Sequence, residues 1–278
     1  VEQASAARDG GALVAWIMKP SDGCKGDGIE IAESWEAIEA HLTQQFQLKE
    51  EGGNPPTWVV QRYISNPLLL SRGQRKFDMR CWVLLDGAYN VYLYSQGVLR
   101  TSAVAYDVGD TTNRFAHLTN HCIAANHADF GKFEETNELF YSAFDAELNE
   151  RFPELAVQHG GSVLRGVVEP QIKRHVVQTF LAAREQLEHI SDYYFPFQLF
   201  GFDFLLTDEL RLWLCEVNAS PAVAEVLLQG LVQALIATAI DPVFLPEKPA
   251  PRKTGSSEFS GKFECIFRSG RPWPPALS

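Results

Sequence analysis

The chain has 278 residues, 46% of them hydrophobic and 12% aromatic, which is enough apolar material for a large core shared between two lobes and an appendage. Its net charge of −11 argues against broad attraction to nucleic acid or to an anionic membrane, so an acidic substrate must meet a local basic patch. The five cysteines, Cys24, Cys81, Cys122, Cys215 and Cys265, are odd in number and form no CxxC pair, which points to reduced thiols in a cytosol-like compartment.

In chain order, residues 13–19 read as a buried strand, followed by a Gly-rich loop, PSDGCKGDG, a short strand, IEI, and a helical pattern over 35–47. The polar connection KEEGGNPPT leads to the strand WVVQRYI, and the turn SRGQR precedes the strand FDMRCWVLL. Asp86-Gly87 marks a hairpin turn, with YNVYLYSQGVLR returning from it. Residues 101–129 lack a steady period and are rich in Asn, Thr and His, the pattern of a long functional loop. Helices are predicted over 134–149 and about 164–190, then a strand pair around GFDF and WLCEVN. Ser220 and Pro221 supply an N-cap and a first-turn proline for a helix over 222–240. Glu225, Gln229 and Gln233 interrupt that apolar run, so no membrane span and no signal peptide are expected. The tail from 246 is rich in Pro, Gly and Ser, with six Lys or Arg against three Glu, and is expected to be a disordered, solvated segment.

The most informative feature is the set Asp203, Glu216 and Asn218 around the apolar stretch FLLTDELRLWL. A hairpin with an even loop at Asp208 and Glu209 would put Asp203 opposite Leu214, with Glu216 its diagonal neighbour and Asn218 on the same face; an odd loop would break this. Magnesium takes one or two carboxylates and leaves its other positions to water and phosphate oxygens, so two acids and an amide suit it. Read singly, each acid is an ordinary turn or strand-end charge; together in an apolar strand pair they need partners.

Lys76, Asp78 and Arg80 alternate along RKFDMR and project from one face. An exposed charge ladder is the bland explanation, but with Arg100 at the end of the next strand the row can hold a carboxylate or a transferring phosphoryl group. Gly23, Gly26 and Gly28 with Lys19 and Lys25 allow backbone approach to phosphate, or form an ordinary hairpin loop; the spacing matches neither a P-loop nor a dinucleotide fingerprint. His117 and His121 have the spacing of a zinc pair, yet no Glu follows the first, and hydrogen bonding by Thr119 and Asn120 is the better reading of HLTNH. No nucleophile motif stands out, and GFD without an HRDxxxxN loop is a poor match to a protein kinase.

In this order, WIMKPSDGCKGDGI, VVQRYISNPLLL, RKFDMRCWVLL, YLYSQGVLRTS, HLTNHCI, FQLFGFDF and WLCEVNASP resemble the tubulin–tyrosine ligase family of the ATP-grasp superfamily, over roughly residues 13–243. RKFDMR, GVLRTS, HLTNHCI and FQLFGFDF resemble the tyrosine-adding branch more than the polyglutamylases or polyglycylases. The resemblance implies an α+β ATP-grasp fold of two lobes with antiparallel sheets flanked by helices. Residues 1–60 would be the second part of the central lobe, 61–245 the C-terminal catalytic lobe and 246–278 the tail, with the family's N-terminal domain absent. It also implies that Lys19 touches the ATP phosphates, that Gln61, Arg62, Tyr63 and Ile64 form the adenine-side hinge, and that Lys76 and Asp78 contact the nucleotide. Asp203, Glu216 and Asn218 would hold Mg²⁺, with K⁺ a further candidate ion, while Arg80 and Arg100, with Thr119 and Asn120, would face the γ-phosphate and the acceptor carboxylate.

The implied activity is ATP-dependent addition of free tyrosine to the C-terminal glutamate of detyrosinated α-tubulin through an acyl phosphate, in the cytoplasm and on the cytoskeleton. The alternatives are polyglutamylation or glycylation of tubulin, and an inactive, truncated nucleotide- or tubulin-binding module.

Overall fold

In the computed structural model, residues 15–21, 23, 26–48, 57–188, 195–244 and 261–271 are described. The elements in order are β1 (Trp16–Pro20), β2 (Glu30–Ala32), α1 (Trp35–Leu48), β3 (Trp58–Arg62), β4 (Phe77–Asp86), β5 (Val91–Thr101), α2 (Arg114–His117) and α3 (His121–Ala124). There follow β6 (Glu138–Phe140), α4 (Tyr141–Arg151), α5 (Pro153–Gln158), α6 (Glu169–Ala182), α7 (Arg184–Leu187), β7 (Phe197–Leu206), β8 (Leu212–Asn218), α8 (Glu225–Leu235) and β9 (Phe263–Phe267). Single π-helical turns, Leu164–Val168 and Ile236–Ile240, lead into α6 and extend α8. Among the described residues no helix is long and apolar enough to cross a membrane.

Two compact units result, the first from residues 1–77, 100–137 and 207–209, the second from 78–99, 138–206 and 210–278. The first contains a three-stranded antiparallel sheet in the order β2-β1-β3. Alternation along β1 turns Met18 inward, where it packs with Ala32 and with Ile38 of α1, flanked by Trp16, Leu42, Trp58 and Val60. Ile38 and Leu42 stand four residues apart and therefore share a helix face. The Ser34 hydroxyl accepts from Ala37 N at 3.2 Å, capping the start of α1.

The second unit contains a six-stranded sheet ordered β6-β5-β4-β7-β8, with β9 also paired to β5. Every residue of β4 is buried, as expected of a strand inside a sheet covered on both faces. On one face Trp82, Tyr94 and Val98 meet Leu227 and Leu231 of α8. On the other, alternate residues Phe200 and Phe202 of β7 pack on Phe180 of α6, with ring centroids 5.3 and 5.6 Å apart.

Three expectations change. The helix expected from 134 begins at Tyr141, because Asn137 adopts φ 54° and binds the carbonyls of Thr101 and Ser102, each at 3.2 Å, holding that stretch out of helical geometry. The helix expected from 222 begins at Glu225, because the Ala222 carbonyl accepts from the Trp82 indole at 3.2 Å, and Ser220-Pro221 lie in an irregular segment. The tail expected to be disordered contains β9, whose register runs Tyr92↔Cys265 to Tyr94↔Phe263; residues 245–260 and 272–278 lie outside the described residues.

Candidate functional site

In the second unit, β4 and β7 pair so that Arg80 stands directly opposite Asp203. The guanidinium engages the carboxylate with two bonds, Nε to Oδ1 and Nη2 to Oδ2, the latter 2.8 Å, and Nη1 reaches the Ala222 carbonyl at 3.4 Å. Arg80 and Asp203 are only 6% and 2% exposed, so the exposed-ladder explanation of the charged row fails: these charges are kept inside because they are paired. Asp78, 5% exposed, lies two residues earlier on β4.

The hairpin of β7 and β8 brings Asp203 directly opposite Glu216, not opposite Leu214. Leu206 pairs with Leu212, so the loop is odd, which alone would turn the acids to opposite faces. A register shift between Asp203 and Phe204 adds one residue and restores the alternation. Asn218 completes the group: its amide nitrogen lies 3.3 Å from Asp203 Oδ2 and 3.2 Å from Glu216 Oε1. Gly201, the partner of Asn218 across the hairpin, has room for no side chain, since a Cβ there would lie 2.6 Å from Pro221 and 3.3 Å from Arg80.

Whether this set suits Mg²⁺ is decided by its donors. Two carboxylates and an amide converge at hydrogen-bonding distance, the amide nitrogen donating to one oxygen of each acid. Turned over, the same amide offers Oδ1, giving three hard oxygen donors of the kind magnesium accepts. Among the described residues no group of three or more His, Cys, Asp or Glu is placed to hold a metal.

In the first unit, Lys19 is half-buried on β1 opposite Val59, and Gln61 and Arg62 are exposed at the end of β3, opposite Ile17 and Trp16. Tyr63 N continues that ladder to the Ala15 carbonyl at 2.8 Å, and Ile64 is half-buried beside it. The Gly-rich loop lies against HLTNH: a Cβ on Gly26, which has φ 83°, would meet Ile123 at 2.6 Å and Asn120 Oδ1 at 3.1 Å. Arg114 Nη2 donates to the Gly26 carbonyl at 2.7 Å and holds the loop. Lys25 lies outside the described residues. Thr119 is buried, Asn120 precedes α3, and Arg100 is half-buried near the end of β5.

Neither histidine is placed as half of a zinc pair. His121 is exposed, its ring edge-on to Phe130, while both His117 ring nitrogens are taken. Nε2 stands 2.8 Å from the Asp110 carbonyl and Nδ1 2.7 Å from the Tyr63 hydroxyl. A carbonyl only accepts, so Nε2 carries a proton, and with burial disfavouring a second proton on the ring Nδ1 is left to accept from Tyr63. The Lys76 ammonium in turn donates to the Tyr63 hydroxyl at 2.9 Å and lies 4.6 Å from the centre of that ring. Burial lowers the His117 pKa and the Lys76 charge lowers it further, against the opposing Asp110 carbonyl. Burial likewise raises Tyr63 far above the ordinary phenol range, with Tyr106 adding to the effect.

The Tubulin-tyrosine ligase family model matches residues 1–252. The chain belongs to that family. It is similar to Tubulin glycylase 3C of Tetrahymena thermophila, 27% identical over 261 residues that cover 91% of the chain and 22% of that protein. It is similar also to Probable tubulin polyglutamylase TTLL2 of Homo sapiens, 32% identical over 209 residues, 74% of the chain and 31% of that protein. Probable tubulin polyglutamylase ttll-9 of Caenorhabditis elegans is 27% identical over 262 residues, 92% of the chain and 57% of that protein. The chain thus spans less than two thirds of each of these relatives.

Membership accounts for the α+β architecture, with antiparallel sheets flanked by helices, as an ATP-grasp-like one. These relatives carry glycylase and polyglutamylase names, which supports the alternative reading over the tyrosine-adding branch. The motifs that suggested tyrosine lie around charged rows and the acid hairpin, and any ATP-driven activation of a carboxylate needs those groups whichever amine follows. Tyr63 as a side-chain partner of Lys76, the bonded His117 and Arg114 were not legible in the sequence. Residues 63 and 117 are 54 positions apart, and no local pattern joins them.

Proposed function

We propose that the chain carries an ATP-dependent carboxylate–amine ligase activity directed at tubulin, adding glutamate or glycine. The observation that carries the reading is the convergence of Asp203, Glu216 and Asn218 beside the Arg80 guanidinium, in a member of the Tubulin-tyrosine ligase family. A carboxylate is a poor acyl donor. An acceptor carboxylate oxygen on tubulin attacks the γ-phosphorus of ATP and the bond to the β-phosphate oxygen breaks, giving ADP and an acyl phosphate. The amine of the incoming amino acid then attacks the acyl carbon, inorganic phosphate leaves, and the nitrogen gives up a proton as the amide forms.

Magnesium, held by Asp203, Glu216 and Asn218, would neutralise phosphate charge and so ease transfer. Lys19 and Lys76 bind phosphate oxygens, Asp78 contacts the nucleotide, and Gln61, Arg62, Tyr63 and Ile64 form its adenine-side hinge. Arg80 and Arg100, with Thr119 and Asn120, orient the acceptor carboxylate and stabilise charge on the transferring group. With tubulin as partner, the activity belongs to the cytoskeleton.

The test is incubation of the chain with tubulin, ATP, magnesium and labelled glutamate, glycine or tyrosine in parallel. Incorporation of glutamate or glycine is expected, and tyrosine alone would return the chain to the tyrosine-adding branch. Glu216→Gln is expected to abolish incorporation without lowering the melting temperature, because Glu216 is exposed. Wild-type turnover by that variant would overturn the metal assignment.

A further inference from the structure

The first unit contains a buried polar chain whose bonds the ligase reading leaves without a role: the Lys76 ammonium, the Tyr63 hydroxyl, the His117 imidazole and the Asp110 carbonyl, joined by bonds of 2.9, 2.7 and 2.8 Å. Lys76, Tyr63 and His117 are 4%, 5% and 2% exposed. We propose that Tyr63 and His117 are positioning residues that hold the Lys76 ammonium for a nucleotide phosphate, and that the neutral imidazole is the part that makes this possible. The proposal rests on the reading of Lys76 as a phosphate contact.

The direction of each bond carries the argument. Lys76 has only donors, so the Tyr63 oxygen must accept from it. The phenol hydrogen then has two acceptors beside it, the Tyr106 oxygen, whose own hydrogen goes to the Ser65 carbonyl, and His117 Nδ1 at 2.7 Å; the imidazole nitrogen is the stronger base and receives it. Nδ1 can accept only while the imidazole is neutral with its proton on Nε2, the tautomer fixed by the Asp110 carbonyl. A hydroxyl polarised in this way accepts more strongly from the ammonium. The ammonium also lies 4.6 Å from the Tyr63 ring centre and 5.9 Å from that of Tyr106, whose own hydroxyl donates to the Ser65 carbonyl at 3.1 Å. A flexible four-carbon side chain is thereby kept in one place before nucleotide arrives.

Protonation of His117 would undo this, since Nδ1–H would then point at the hydroxyl hydrogen and a second positive charge would stand one hydroxyl away from Lys76. The groups that bear on His117 are Tyr63 after β3, Lys76 before β4, and Tyr106, Asp107 and Asp110 in the loop before α2. Burial and Lys76 disfavour the charged ring, while the two aspartates and the Asp110 carbonyl favour it.

The experiment uses the full chain and two readouts. The first is the His117 titration followed by NMR, with no nucleotide present. Lys76→Met is expected to raise the His117 pKa by roughly half a unit or more, because it removes a nearby positive charge; an unchanged titration overturns the coupling. The second is ATP affinity with magnesium against pH. Tyr63→Phe, which keeps the ring, and His117→Leu are each expected to weaken ATP about five- to tenfold. His117→Asn, which can still accept from Tyr63, is expected to restore most of the loss, a pattern that a purely structural role would not give. Wild-type affinity in both Tyr63→Phe and His117→Leu, where Lys76→Met itself loses ATP, overturns the positioning role alone. ATP binding that is absent, or indifferent to Lys76→Met, overturns the nucleotide reading and the positioning role with it.

Discussion

Replacing Arg80 by methionine isolates what the Arg80–Asp203 pair contributes to the second unit. The change removes two charge-assisted bonds to a carboxylate that is 2% exposed and leaves the aliphatic stem packed. Breaking a buried pair from one side costs about 3–5 kcal/mol, because the remaining carboxylate loses its guanidinium in a site of low polarity. Asn218 still donates to Asp203 Oδ2 at 3.3 Å, and Trp82 still satisfies the Ala222 carbonyl, so the lower end, about 3 kcal/mol, is expected. The double variant Arg80→Met with Asp203→Leu removes both charges together and is expected to lie within about 1 kcal/mol of the parent. Asp203→Leu alone, which takes the carboxylate from a buried guanidinium, is expected to cost about 3 kcal/mol as well. The coupling, both single losses less that of the double variant, is then about 5 kcal/mol, far above the few tenths expected of independent sites. Equilibrium urea unfolding followed by circular dichroism measures it, with amide exchange in β4 and β7 locating the effect. A loss under about 1 kcal/mol for Arg80→Met, or a double variant as unstable as the sum of the singles, would refute the reasoning. The pair would then be partly solvated and no anchor for the hairpin.

Two further outcomes follow from close contacts and burial. Gly26→Ala meets both a φ of 83° and a Cβ position 2.6 Å from Ile123, so it should displace the Gly-rich loop, weaken ATP binding several-fold in a calorimetric titration, and leave the melting temperature within a few degrees. Burial pushes the Cys81 thiol up to about 12, against the opposing bond from Tyr141 at 2.9 Å, so at pH 8 it stays protonated and shielded. A colourimetric thiol reagent should therefore modify exposed Cys122 quickly and Cys81 only on unfolding, and prompt labelling of Cys81 in the folded protein would contradict its placement.

Much of the local structure is legible because it is set by short-range patterns. The alternation in RKFDMRCWVLL identifies β4, Asp86-Gly87 identifies its turn, and the apolar runs around FGFDF and WLCEV identify β7 and β8. The acid hairpin is legible in its members but not in its register. Loop parity and the bulge after Asp203 decide which residues face each other, and two odd shifts cancel there without a mark in the sequence. The start of α8 is hidden for a similar reason. Ser220-Pro221 is a sound helix-start signal, but the Ala222 carbonyl is used by Trp82, 140 residues away in sequence.

The sequence by itself determined the α+β class and the family, and it supplied the acids, amide and arginines on which the proposed ligation rests, since each depends on residue type and order. Tertiary structure alone decided that Asp203 faces both Arg80 and Glu216, that β9 returns to the edge of β5, and that Lys76 is tied through Tyr63 to a neutral His117. Those arrangements join residues dozens of positions apart. They are set by sheet register and by the need of buried polar groups for partners, which no local pattern encodes.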